Sequence, residues 1–171
     1  MQQYPYAIFI TGLPGTGKSY FARHLAARLN AVHLFTDQIR EQLDLKGQYD
    51  EASKHAVYNE MKHQLKETLK AGKLVVVDAT FIKKALRKEF IEAVETLKVD
   101  LSFIVMTASE TVIQARINKT RKYSEADFKV YQKLKAKFEP FEHPYLILDS
   151  GTMEVEDMIE KVIAYANLDH D

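Results

Sequence analysis

The sequence of 171 residues contains no cysteine, which excludes a disulfide framework and a metal site built on thiolates. It also carries no net charge, since 24 basic side chains balance 24 acidic ones. No overall field is therefore available to attract a polyanion. Long apolar runs are missing as well: the first run, residues 6–10, is too short for a secretion signal or a membrane span. These absences favour a soluble, cytoplasmic protein.

The composition is otherwise that of a globular protein. Hydrophobic residues make up 46% of the chain and charged residues 28%, which is close to the usual proportions. The length predicts a single domain over residues 1–171, large enough to bury a core without disulfides or metals. We find no internal repeat, low-complexity tract or linker in the sequence.

Five short apolar runs alternate with segments of helical periodicity. Runs of this kind are typical of strands that are buried on both faces of a parallel sheet. They cover residues 7–10, 32–35, 74–77, 99–106 and 145–148. Helices are predicted at residues 18–30, 36–45, 51–71, 82–97, 110–117, 124–138 and 155–163, with Thr36 as the N-cap of the second. Strands alternating with helices predict an α/β fold of three layers, α/β/α, with a five-stranded parallel sheet.

The strongest functional signal is the segment of residues 12–19, Gly-Leu-Pro-Gly-Thr-Gly-Lys-Ser, which we call the glycine loop. It matches G-x-x-x-x-G-K-[S/T] and lies between a predicted strand and a predicted helix, as this phosphate-binding motif requires. Lys18 is expected to reach the β- and γ-phosphates of a nucleotide and Ser19 to meet Mg²⁺. A glycine-rich turn without a ligand is the alternative. The residues predicted to bind the nucleotide here are Gly12, Pro14, Gly15, Thr16, Gly17, Lys18, Ser19 and Tyr20.

Two aspartates follow predicted strands, at the edge of the sheet where open α/β folds bind ligands. Asp78 ends the third run and is a candidate for the acid that meets the metal ion beside Ser19; an aspartate at a strand end that caps the next helix is the alternative. Asp37 follows the second run, and Arg40 comes one helical turn later. Asp37 is placed to take the proton of an acceptor hydroxyl, and Arg40 to pair with a phosphate on the acceptor. A surface ion pair explains the same spacing.

A basic segment extends from residue 116 to residue 137, with eight basic residues against two acidic ones. Arg116 and Arg121 flank a polar stretch between two predicted helices. This arrangement predicts a small lid at about residues 116–138 that closes over the nucleotide and brings guanidinium groups to its phosphates. A solvated helix face is the alternative. None of the six histidines is predicted to be catalytic, because they show no metal-ligand spacing and no paired carboxylate.

Together these motifs resemble those of the P-loop kinases grouped around polynucleotide 5′-kinases and zeta-toxin-like kinases, many of them known as AAA-family ATPases. The resemblance extends from about residue 6 to residue 150 and is carried by the glycine loop, residues 36–40, residues 72–80, Arg87, Arg116 and Arg121. It implies that Asp37 is a general base and that Arg40 contacts the acceptor phosphate. It also implies that Arg116 or Arg121 binds the phosphates of ATP, and we expect Arg87 to contribute to substrate binding.

The resemblance implies an enzyme that uses ATP and Mg²⁺ to phosphorylate a hydroxyl group, most like a polynucleotide 5′-hydroxyl kinase. Lys18, Asp37 and Arg121 are its expected catalytic residues, with Ser19 and Asp78 at the metal. The sequence contains no segment similar to the phosphatase or ligase domains that accompany many RNA-repair kinases. A sugar acid, nucleoside or antibiotic is therefore an alternative acceptor. A nucleotide-dependent switch or an ATPase without acceptor transfer is an alternative of another class.

Overall fold

A five-stranded parallel sheet lies at the centre of the fold, with helices on both faces. The computed structural model of the protein describes residues 4–119 and 125–168, with the side chains of all of these except residues 125–127. Its elements in chain order are β1 (Tyr6–Thr11), α1 (Lys18–Leu29), β2 (Val32–Phe35), α2 (Thr36–Gln42), α3 (Glu51–Lys70), β3 (Leu74–Asp78), α4 (Lys84–Glu95), β4 (Asp100–Thr107), α5 (Glu110–Lys119), α6 (Glu125–Lys137), β5 (Tyr145–Asp149) and α7 (Val155–Tyr165).

The strands are arranged in the order β2-β3-β1-β4-β5, and each neighbouring pair is parallel. All five residues of β3 are buried, as expected of a strand covered by helices on both faces. Because parallel strands place their carboxyl ends at the same edge, the chain leaves β1, β2 and β3 on one side of the sheet. The predicted three-layer fold with a five-stranded parallel sheet is confirmed.

Two apolar clusters hold the helices against the sheet. On one face, α3 and α4 pack on the sheet through a group of aromatic rings. Phe9 stacks on Phe103 with ring centroids 4.8 Å apart, and Phe81 meets Phe90 edge-to-face at 5.1 Å. On the other face, α1 and α7 cover β1. Since β1 is buried on both faces, the loop that follows it begins from a strand at the centre of the core.

The second helix is shorter than predicted and begins differently. It ends at Gln42 instead of residue 45, and Phe35 occupies the N-cap position. The prediction of Thr36 as N-cap was wrong, because the extended strand β2 continues directly into the helix and Thr36 is already helical. The other predicted elements begin and end within two residues of the observed ones. No helix in residues 4–119 and 125–168 is long and apolar enough to cross a membrane.

Arg87 connects α4 to the chain that follows α6. Its guanidinium donates to the main-chain carbonyls of Phe81 at 2.7 Å and Ile82 at 3.2 Å. It also donates to those of Glu139 at 2.9 Å and Pro140 at 2.8 Å. Only 4% of the residue is exposed. These four hydrogen bonds direct donors of Arg87 at carbonyls inside the fold, and its role in substrate binding stays a prediction.

We expect Arg87→Ala to lower the free energy of unfolding by about 2–4 kcal/mol, because buried carbonyls lose a charged donor. Lys88→Ala is the matched control: this neighbour on α4 has a side chain that is 77% exposed, and its removal should change stability by less than about 0.5 kcal/mol. Urea denaturation measures both variants. Similar values for the two would show that Arg87 does not hold these segments together.

Candidate active site

The glycine loop connects β1 to α1 at the carboxyl edge of the sheet. Gly15 and Gly17 have φ angles of 83° and 78°, in the left-handed region that favours glycine. A Cβ atom on Gly15 would also lie 2.8 Å from Cγ2 of Ile113. The hydroxyl of Thr16 donates to the carbonyl of Leu13 at 2.7 Å and closes the turn. The backbone of the loop therefore favours glycine at both positions, and at Gly15 the contact with Ile113 also leaves no room for a side chain.

This loop forms one wall of a cavity of about 260 Å³. The cavity lies at the N-terminus of α1, where unpaired N–H groups and the helix dipole favour an anion. Most of the residues predicted to bind the nucleotide are brought together here. The lining residues are Leu13, Pro14, Gly15, Gly17, Lys18, Ser19, Tyr20 and Arg116.

Arg116 reaches the glycine loop from α5. Its Nη1 donates to the carbonyl of Gly15 at 3.0 Å and to the hydroxyl of Ser150 at 2.9 Å. The Ser150 hydroxyl donates in turn to the carbonyl of Thr16 at 2.7 Å. Arg116 therefore ties α5 and the turn after β5 to the glycine loop, at the edge of the cavity. The other arginine predicted to bind phosphates, Arg121, lies outside the described residues.

Asp78 ends β3 beside Lys18. Its side chain is only 2% exposed, with Oδ1 at 3.5 Å from Nζ of Lys18 and Oδ2 at 3.6 Å from Nε2 of His33. Burial acts to raise the pKa of this carboxyl, but His33, Lys18 and Ser19 outweigh burial and hold the pKa below its ordinary value. The carboxyl is therefore ionised at neutral pH.

The residues at this point fit a magnesium ion. Both carboxylate oxygens of Asp78 are buried and have no hydrogen-bond partner within the described part of the chain. The hydroxyl-bearing Ser19 stands next to Lys18 in the first turn of α1 and lines the cavity. One or two protein oxygens, completed by water and phosphate, are the ligands that Mg²⁺ prefers in nucleotide sites. An ionised carboxylate that accepts no hydrogen bond in the described residues is thus available where the predicted metal would lie.

Asp37 and Arg40 form a second group at the start of α2. Nη1 of Arg40 donates to Oδ1 of Asp37 at 3.2 Å, and Nε donates to the carbonyl of Gln48 at 3.1 Å. The ring of Tyr49 lies over the guanidinium of Arg40, with 4.5 Å between the ring centroid and Cζ of Arg40. The Asp37 side chain is 81% exposed and that of Arg40 only 9%. The pair therefore combines a fixed, covered cation with a carboxylate that faces solvent, unlike an ion pair of two exposed side chains.

The sheet brings the two groups together. Phe35, at the end of β2, pairs with Asp78, and Asp78 pairs with Ile10 of β1. The glycine loop follows β1 and Asp37 follows β2, so Asp78 lies between the two segments. His33, for which no function was predicted, belongs to the same edge. Its position across from Asp78 depends on which strands are neighbours, and that is not visible in the sequence.

Comparison with known protein families shows which family this protein belongs to. The model of an AAA domain family matches residues 8–141, which is most of the chain. The protein belongs to this AAA domain family. The match includes the glycine loop, Asp37, Asp78 and Arg116, and so covers both groups of candidate site residues.

Solved structures show the same fold for this AAA-domain protein. APS kinase CysC of Mycobacterium tuberculosis, in complex with AMPPNP and APS, has a TM-score of 0.75 at 18% identity, covering 96% of this chain and 98% of that one. A gluconokinase from Sinorhizobium meliloti 1021 has a TM-score of 0.74 at 16% identity, covering 97% and 94%. The Pnkp1/Rnl/Hen1 RNA repair complex matches with a TM-score of 0.63 at 21% identity, covering 82% of this chain and 49% of that one. The fold is that of the P-loop kinases, as the resemblance implied.

Arg116 and Ser150 should act as one unit in stability. We expect Arg116→Ala and Ser150→Ala to be non-additive, with a coupling of about 1–2 kcal/mol in the free energy of unfolding, because each removes the same bridge to the glycine loop. Gln114→Ala, an exposed position on α5, combined with Ser150→Ala is the control and should be additive. Urea denaturation of the single and double variants provides the values. Additivity of the Arg116 and Ser150 variants would contradict the bridge.

Proposed function

We propose that this protein is an ATP-dependent phosphotransferase that moves the γ-phosphate of ATP to a hydroxyl group of an acceptor, with Mg²⁺ as cofactor. The observation that carries the proposal is the position of Asp78. This buried, ionised carboxylate separates a phosphate-binding loop on one side from an exposed carboxylate, that of Asp37, on the other. A kinase needs this combination, because it must hold two reactants over one metal ion.

One half of the proposed site binds the nucleotide. It consists of the glycine loop, which includes Lys18 and Ser19, and Asp78. Main-chain N–H groups of the loop hold the phosphates of ATP, and Lys18, whose side chain is largely buried, pairs with their charge. Ser19 and Asp78 would hold the Mg²⁺ ion, which would neutralise charge on the phosphates. Lys18 and Asp78 lie 3.5 Å apart, so the phosphate-binding residues and the metal-binding carboxylate are adjacent.

The acceptor half consists of Asp37 and Arg40. Asp37 accepts the proton of the acceptor hydroxyl, whose oxygen then forms the new bond to the γ-phosphorus while ADP leaves with the bridging oxygen. Arg40 fixes one oxygen of Asp37 and leaves the other open to the acceptor. A guanidinium has five N–H donors, and those of Arg40 that do not face Asp37 and Gln48 remain for a phosphate on the acceptor.

A lid arginine, Arg116 or Arg121, completes the proposed site by binding the transferred phosphate. Arg116 lines the cavity beside the glycine loop. The helices on either side of residues 120–124 are held together by a small apolar cluster that includes Ile113, Ile117 and Tyr131. The cluster therefore holds α5, and with it Arg116, next to the nucleotide cavity, where charge develops during transfer.

For the acceptor we propose the 5′-hydroxyl end of a polynucleotide. Tyr49 supports this choice, because its exposed ring covers Arg40 beside Asp37. An exposed aromatic ring is a platform on which a nucleobase stacks, and a guanidinium binds the adjacent phosphate. The similarity to a protein of an RNA repair complex agrees with this acceptor.

The lysines of α3 limit the length of nucleic acid that the protein can hold. Several of them are paired with glutamates in the described structure and so are partly neutralised. The pairs are Lys54–Glu51, Lys62–Glu89 and Lys70–Glu67, with N–O distances of 3.6, 3.0 and 2.9 Å. This observation favours contact with the terminal nucleotide alone, and it also supports a small metabolite as the second candidate acceptor.

We expect Asp37→Asn to slow acceptor-stimulated release of ADP by about 10²–10⁴-fold, the usual contribution of a general base, with the affinity for ATP little changed. The matched control is Asp44→Asn. Asp44 is exposed just after α2 and has a φ of 59°, which asparagine also adopts, so this variant should behave as the wild type does. Near-normal transfer by Asp37→Asn would show that Asp37 is not the general base.

A further inference from the structure

His33 is a partly buried histidine of β2 that has no role in the proposed mechanism. Its Nε2 lies 3.6 Å from Oδ2 of Asp78. Both atoms are buried, and neither has a hydrogen-bond partner in residues 4–119 and 125–168. Buried polar atoms are nearly always paired, so an exception of this kind points to a role or to a missing ligand.

The sheet fixes the position of the His33 ring. His33 pairs with Val76 and Phe35 pairs with Asp78 in the parallel register of β2 and β3. Side chains alternate along a strand, so His33 and Asp78 project from the same face of the sheet. The ring of Phe35 lies 4.8 Å from that of His33 and supports it. The two atoms thus face each other at 3.6 Å, which exceeds the usual hydrogen-bond length of about 2.9 Å by less than 1 Å.

Asp78 has two different neighbours, one at each oxygen. Lys18 faces Oδ1 and His33 faces Oδ2. When ATP binds, the charge of Lys18 is directed at its phosphates, and Oδ1 is then free for another cation. His33 remains the neighbour of Oδ2, because β2 and β3 hold both residues in place. A carboxylate that ligates a metal is commonly oriented in this way by a hydrogen bond to its other oxygen.

We propose that His33 is a positioning residue for the metal site: its Nε2–H donates to Oδ2 of Asp78 and keeps Oδ1 directed at the Mg²⁺ that accompanies ATP. The role needs the ring proton on Nε2 and no change in protonation. This inference rests on the nucleotide-binding half of the proposed function and is independent of the acceptor.

Binding of the non-hydrolysable nucleotide AMPPNP, measured by calorimetry over a range of MgCl₂ concentrations and in EDTA, tests this role. We expect His33→Leu to raise the Mg²⁺ concentration for half-maximal gain in AMPPNP affinity by about tenfold, a typical effect of losing a residue that orients a metal ligand. Affinity in EDTA should be unchanged. His33→Gln, which keeps an N–H donor, should restore most of the Mg²⁺ response. His55→Leu, at an exposed position of α3, is the control and should match the wild type.

Three results would overturn the inference. These are an unchanged Mg²⁺ requirement in His33→Leu, an equal loss of affinity with and without Mg²⁺, and a Mg²⁺ requirement in His33→Gln as high as in His33→Leu. If His33→Leu fails to fold, His33→Gln decides: a Mg²⁺ requirement like that of the wild type supports the role, and a raised one contradicts it. AMPPNP binding by the wild type that does not respond to Mg²⁺ would contradict the proposed function as well.

Discussion

Burying an ionised carboxylate is unfavourable unless nearby charges or donors compensate for it. For Asp78 of β3, these come from segments on the two neighbouring strands. Lys18 comes from the loop after β1 and His33 from β2, and both approach the carboxylate at the end of β3. Because β3 lies between β1 and β2, the same carboxylate is adjacent to the glycine loop and to the segment of Asp37. The two halves of the proposed site are thus joined through one buried charge.

Three arginines predicted to belong to the site have different surroundings. Arg87 donates to four main-chain carbonyls and joins α4 to the chain after α6. Arg116 joins α5 and Ser150 to the glycine loop while lining the cavity. Arg40 lies next to the exposed carboxylate of Asp37 and under an aromatic ring. The three therefore differ in what lies beside the guanidinium: carbonyls inside the fold for Arg87, the cavity of the glycine loop for Arg116 and an exposed carboxylate for Arg40.

Local patterns in the sequence were sufficient to predict the strands, most helix ends and the glycine loop, because each depends on residues that are close along the chain. Thr36 shows the limit of such patterns: an N-cap preference has no effect where a strand continues directly into a helix. The contacts of Arg87 and His33 could not be predicted, since they join segments that are distant along the chain. Arg87 meets a carbonyl 52 residues away, and His33 faces Asp78 only through the pairing of β2 with β3.

Transfer of label from γ-labelled ATP tests the central claim most directly. The protein is incubated with labelled ATP and Mg²⁺ and with 5′-hydroxyl DNA or RNA oligonucleotides, sugars or nucleosides, and the label is followed into the acceptor and into free phosphate. The site described here predicts covalent label on a hydroxyl acceptor, and no label on the same acceptor when its hydroxyl is blocked. Binding and slow hydrolysis of ATP, with label only in free phosphate for every acceptor, would contradict phosphoryl transfer and indicate a nucleotide-dependent switch.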